Sequence, residues 1–144
     1  MVEIISNEMA MSLAKKDIAQ LIDNTALRPD TTGVQIEILC EEAREYHFYS
    51  VCINPYFIPL AKSFLINSGV KICTVVGFPL GASLTSVKEY EAGESVKEGA
   101  EEIDMVLNIS ALKDKDYQKV RKDISAVVKA VKGLTCKVIL ETSL

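Results

Sequence analysis

Ala100-Glu101-Glu102-Ile103-Asp104-Met105-Val106-Leu107-Asn108 decides how this chain is read. The stretch is short and apolar, with one carboxylate in its middle. Side chains alternate along a strand, so Ile103, Met105 and Leu107 share one face and Asp104, Val106 and Asn108 the other. A helical pattern runs into it and another leaves it. An acid in such a strand is paired, hydrogen-bonded or catalytic, because a lone buried charge is costly. On the strand alone the plainer role is preferred: Asp104 caps the next helix or pairs with a lysine inside the fold.

Working back from this stretch, Gly99 stops a weak helix over 85–98. Gly93 in its middle costs roughly 1 kcal/mol relative to Ala and would permit close backbone packing. Lys88, Glu89, Glu91, Glu94, Lys97 and Glu98 are read as its solvated face. Before it, Val70–Val76 is a strand ended by Gly77-Phe78-Pro79-Leu80-Gly81. Pro55 opens a helix with Ile58, Ala61, Phe64 and Leu65 inward, and Asn67-Ser68-Gly69 stops it. Tyr49–Ile53 is the preceding strand. Thr32 with Gln35 fits a capping box, opening a helix whose stripe is Ile36, Leu39, Cys40, Ala43 and His47. His47 is read as a partly exposed helix-end residue. Leu21–Leu27 is the first strand, broken by Arg28-Pro29-Asp30, and residues 9–20 form a helix with Leu13, Ile18 and Leu21 as inward contacts.

In the other direction, Asp114-Lys115-Asp116 opens a helix with Tyr117, Val120, Ile124, Val127, Val128 and Val131 as its inward stripe. Gly133 stops it, and Cys136–Thr142 is the last strand. Strands alternating with helices predict right-handed βαβ units and a five-stranded parallel sheet. The fold class is α/β, and residues 1–144 read as one domain.

Bulk properties narrow the function. At 144 residues, 49% hydrophobic and 25% charged, the chain can bury a real core. Net charge is −4 and the basic residues are scattered, so neither nucleic acid nor membrane is an expected partner. The start lacks the basic-then-apolar order of a signal peptide. Cys40, Cys52, Cys73 and Cys136 show no metal-like spacing, which fits a cytoplasmic protein with reduced thiols.

Ligands of parallel α/β folds gather at the carboxyl ends of the strands. There stand Asp23 and Thr25, Cys52 and Asn54, Gly77 to Gly81, Asp104 and Asn108, and Glu141 and Thr142. Lys137 begins the last strand and shares a face with Ile139 and Glu141. No G-x-G-x-x-G and no Walker-type loop is present. Phe, Pro and Leu fill the 77–81 turn, so it is read as packed rather than phosphate-binding. His47 is badly placed for a Ser-His-Asp set, and Cys52 lacks a histidine to activate it, so Cys52 reads as a small buried side chain.

Five motifs then fall in series: Leu21-Ile22-Asp23-x-Thr25-x-Leu27-x-Pro29, Val51-Cys52-x-Asn54-Pro55, Val75-x-Gly77-Phe78-Pro79-Leu80-Gly81, Gly99-Ala100-x-Glu102-Ile103-Asp104-Met105-Val106-x-Asn108, and Lys137-Val138-Ile139-x-Glu141-Thr142. Together, over residues 18–142, they resemble the deoxyribose-phosphate aldolase family. That resemblance implies a class I aldolase on a TIM barrel, without metal or other cofactor. Its reaction splits 2-deoxy-D-ribose 5-phosphate into glyceraldehyde 3-phosphate and acetaldehyde through a lysine Schiff base. It implies that Asp104 is the proton-relay acid. It places Cys52 and Thr25 near the substrate, and Lys137 and Asp23 among the polar groups of the barrel interior, with Lys137 grouped with Asp104 as a catalytic candidate and Asp23 grouped with Cys52 and Thr25 as substrate-binding. Asn24 stands where many members carry histidine or leucine.

The family's Schiff-base lysine lies on the sixth strand in a Lys-Thr-Ser-x-Gly-type motif, its second lysine on the seventh, and its phosphate loops after strands seven and eight. None of these motifs occurs in the 144 residues. The reading is therefore of about five of the eight barrel strands, the N-terminal part of the barrel, inactive alone. Two apolar edges, Leu21–Leu27 and Lys137–Thr142, are expected to stay open and to favour homo-oligomers. The alternatives are a non-catalytic half-barrel or self-associating interaction module and, with less behind it, an open flavodoxin-like sheet binding a small ligand.

Overall fold

A computed structural model describes residues 15–144. The helix expected over 9–20 is seen as α1, Lys15–Ala19; its earlier part and Leu13 lie outside the described residues, and Ile18 and Leu21, expected as inward contacts, are exposed. The remaining elements are β1 (Asp23–Ala26), α2 (Gly33–Tyr46), β2 (Ser50–Ile53), a 3-10 turn (Pro55–Phe57), α3 (Ile58–Leu65), β3 (Lys71–Val76), α4 (Thr85–Glu98), β4 (Glu102–Val106), α5 (Ile109–Lys113), α6 (Tyr117–Ala130) and β5 (Thr135–Ile139).

Each boundary has a local cause. Thr32 and Gln35 close a reciprocal capping box at the start of α2. The Asn108 side chain accepts from Ala111 N and opens the short α5, an element the sequence reading did not expect. Asn108 is thus a cap and not the strand end. Asp116 accepts from Lys119 N at the start of α6. His47 ends α2 in the left-handed region, exposed as expected.

The five strands are all parallel and run in chain order, β1-β2-β3-β4-β5, with β1 and β5 as edges. Two apolar layers follow from strand alternation. The larger joins the outward residues Val51, Ile53, Ile72, Val76, Ile103 and Met105 to Ile36, Ala43, Ile58, Ala61, Ala92, Val127 and Val131 of the helical side. The smaller sits on the other face, where Cys52, Cys73 and Val75 are joined by Leu27 and Ile139. On β5, Cys136 and Val138 are only half-buried, as expected of an edge strand.

Four expectations are corrected. Lys88 is not on a solvated face: it is completely buried. Its Nζ donates to Asp123 Oδ2 at 2.6 Å and to the Val106 carbonyl at 2.9 Å. Thr85 donates to the other Asp123 oxygen at 2.8 Å. The charge is tolerable there because α6 supplies a matching carboxylate, which nothing near Lys88 in sequence announces. Gly77 makes room for it, since a Cβ at Gly77 would stand 2.8 Å from Lys88 Cε. Glu91 also leaves the solvated face, accepting from Gly77 N at 2.9 Å. Tyr117 and Val128, expected inward, are exposed, because the buried side of α6 turns toward α4 through Asp123 and Val127. Gly93 serves no close packing: among the described residues nothing lies within 4 Å of where its Cβ would be.

Candidate active site

The inner face of the sheet carries its polar residues in register. Asp23 lies beside Ser50 and Ser50 beside Lys71. Val75 lies beside Asp104 and Asp104 beside Lys137. Strand alternation therefore aims Asp23, Asp104 and Lys137 into one concavity.

Lys137 is its hub. Its Nζ lies 2.6 Å from Asp23 Oδ2, 3.3 Å from Asp104 Oδ1 and 3.5 Å from Glu102 Oε2. The Asp23 contact joins the first strand to the fifth. On a flat sheet those strands would stand roughly 19 Å apart, at about 4.8 Å per strand. A lysine and an aspartate cannot bridge that span, so the sheet is bent toward its polar face. Asp23 also accepts from Ser50 Oγ at 2.6 Å. Below them Glu102 is almost completely buried and accepts from Tyr49 Oη at 2.6 Å and from Lys71 Nζ at 3.2 Å.

Burial alone would raise the Asp23 carboxyl, but hydrogen bonds from Lys137 and Ser50 outweigh it and hold the group below the usual carboxylate range. For Asp104 burial wins: its carboxyl is raised despite the nearby Lys137 charge. Among the described residues Asp104 Oδ1 finds no hydrogen bond of good geometry, although it is buried and Lys137 Nζ is within ion-pair distance. For Lys137 burial opposes the charge, yet the Asp23 hydrogen bond and the surrounding anions overcome it and raise the ammonium above its usual range. This lysine is a held cation at neutral pH.

Cys52 lies opposite Cys73 on the neighbouring strand, and both are buried. Thr25, opposite Cys52 on its other side, is exposed at the strand end and donates to the Asp23 carbonyl at 2.8 Å. Glu141 and Thr142 fall beyond β5 and are exposed. At the carboxyl end of the sheet a cleft is lined by Pro79, Leu80, Ile109, Ser110 and Glu141. Gly81 lies against the β4 exit so closely that a Cβ would meet the Leu107 carbonyl oxygen at 1.9 Å, and its φ of +66° also favours glycine.

Of the residues singled out from sequence, Asp23, Asp104 and Lys137 converge directly. Cys52 adjoins them through Cys73, and Thr25 sits at the rim. The sequence reading assigned no role to Glu102, Ser50, Tyr49 or Lys71. Alternation from Asp104 does put Glu102 on the polar face, and that was the available signal.

The description DeoC/LacD family aldolase matches residues 18–144. A deoxyribose-phosphate aldolase of Dictyoglomus turgidum is 58% identical over 126 residues, covering 88% of this chain and 58% of the relative. One from Mannheimia succiniciproducens is 57% identical, covering 90% of this chain and 58% of its own. Among solved structures, a putative deoxyribose-phosphate aldolase from Coccidioides immitis superposes with a TM-score of 0.88 at 43% identity, over 91% of this chain and 52% of that one. The tetrameric deoxyribose phosphate aldolase of Aeropyrum pernix gives 0.82 at 34% identity, over 90% and 55%. The chain thus spans about three-fifths of the curated relatives' length, and its open sheet corresponds to part of their barrel. The chain belongs to the DeoC/LacD aldolase family.

Proposed function

We propose that this polar face serves the reversible cleavage of 2-deoxy-D-ribose 5-phosphate to glyceraldehyde 3-phosphate and acetaldehyde through a lysine Schiff base. Residues 1–144 would contribute five strands of the barrel. The observation that carries the reading is Asp104: a largely buried carboxyl, raised by burial, with one oxygen that lacks a hydrogen bond of good geometry and has the Lys137 ammonium 3.3 Å away. An acid tuned upward is suited to hand a proton to a carbinolamine hydroxyl and to take one back, because transfer is best near the working pH. Asp23 and Lys137 position it and balance its charge. Thr25 and Cys52 border the substrate. Metal takes no part in this chemistry. The free thiols support a reducing, cytoplasmic setting.

A Schiff-base nucleophile must be an uncharged amine. Lys137, held protonated by Asp23, is poorly suited to that task. We therefore expect that the 144-residue chain does not form the adduct by itself. The test is to incubate it with acetaldehyde, reduce with borohydride and weigh it, beside a full-length relative. An adduct on the relative and none on this chain supports the division of roles. A stoichiometric adduct on Lys137 overturns it.

Association of copies through the β1 and β5 edges is the second element of the reading. It is favoured by the half-buried β5 and by Leu140, which is 58% exposed just beyond it. Sedimentation that shows a compact monomer at every concentration rules this out.

A further inference from the structure

Cys52, Cys73 and Asp104 come from three successive strands, and each offers one ligand atom within 4.8 Å of the other two. The aldol chemistry gives Cys73 no task. Cys73 is completely buried and Cys52 is 3% exposed. The third member, Asp104, carries the buried oxygen that lacks a hydrogen bond.

We propose that these three side chains form a binding site for a thiophilic divalent cation such as Zn²⁺ or Cd²⁺, which acts as an inhibitor and not as a cofactor. Two thiolates and a carboxylate suit such an ion, and three protein ligands leave the fourth position of a tetrahedral site to a water molecule. In a tetrahedral site with metal–sulfur bonds of about 2.3 Å, the ligand atoms stand roughly 3.8 Å apart. Side-chain rotation of about 1 Å closes the present cluster to that size. Binding forms two metal–sulfur bonds and one metal–oxygen bond, and each thiol passes its proton to solvent. No electron is transferred. Lys137 stands 3.3 Å from Asp104 Oδ1, but its shorter bond at 2.6 Å is to Asp23, which keeps the ammonium partnered while Asp104 turns to the metal. The inhibition rests on the aldolase role of Asp104; the binding does not.

The test therefore reads binding. Cd²⁺ is titrated into the 144-residue chain under reducing, chelator-free conditions. The expected result is an ultraviolet thiolate-to-cadmium band that saturates near one ion per chain, releases a proton per thiol and is displaced by Zn²⁺. Cys73→Val fits the apolar cluster and loses most of the band, whereas Cys40→Ser and Cys136→Ser keep it. Asp104→Asn retains the band but needs about tenfold or more metal. X-ray absorption on the unmutated chain reads the ligand set without any variant: two sulfurs with lighter neighbours support the site, and any other sulfur count overturns it. Absence of the band, its survival in the double variant Cys52→Val/Cys73→Val, or its loss in Cys136→Ser likewise overturns the proposal.

Discussion

Lys88 and Lys137 each bond an aspartate at 2.6 Å, and there the likeness ends. Lys88 lies on the helical side, where its side chain and that of Asp123 are 0% and 1% exposed. Every strong partner there is satisfied: two donors serve Asp123, and the ammonium has a carboxylate and a backbone carbonyl. Lys137 lies on the concave side at 38% exposure, facing three acids at once. One of those acids is left incompletely bonded. A closed set of partners fixes structure, whereas an open set retains a group that can exchange protons or ligands.

The sharpest way to break the contrast is to remove one member of the buried pair. Asp123→Ala strands the Lys88 charge and should destabilise the chain by about 3–5 kcal/mol. Lys88→Met with Asp123→Leu should cost less than Asp123→Ala alone, since both charges leave together. Urea unfolding of the three chains checks this, and a double variant worse than the single would mean that the pair is net stabilising beyond its desolvation.

Lys137→Met should cost less, about 1–2 kcal/mol, because its bonds are partly in water. Its signature is electrostatic. Asp104 loses its nearest positive charge, so its carboxyl should rise further; carbon-detected NMR titration of the side chain reads this, and an unchanged midpoint would remove Lys137 from the network. The pH profile gives the smallest effect. Asp23 is held low, so its contribution is present above the unfolded carboxylate value and is lost as pH falls through its lower folded value. Lys137 is held high, so its contribution is complete below the unfolded lysine value and fades only as pH rises through its higher folded value. In Lys137→Met both limbs should flatten.

Periodicity carried most of the fold. The 85–98 helix, the Thr32–Gln35 box and the parallel order need only local signals, and each is observed. The errors arise where the partner is remote. Lys88 and Asp123 are 35 residues apart, and the residues around Lys88 read as a wet face. Alternation placed Asp104 and Lys137 on polar faces of their strands, but register alone made them neighbours. The meeting of Lys137 with Asp23, separated by 114 residues, depends on the bend of the whole sheet. Cys52 and Cys73 escaped as a pair for the same reason: metal spacing is sought along the chain, and theirs is built across strands.

The contact between the first and fifth strands has a mechanical consequence. Hydrogen bonds between neighbours resist shear at each of the joints but only weakly resist a small change of angle there. Opening the curve sums those small angles along the sheet, from β1 to β5. The Lys137–Asp23 bond is stretched by the sum, and so works as a tie across the arc. One ion pair that is a third exposed thus spans the arc, and the part it plays in holding the curve should weaken as added salt screens it.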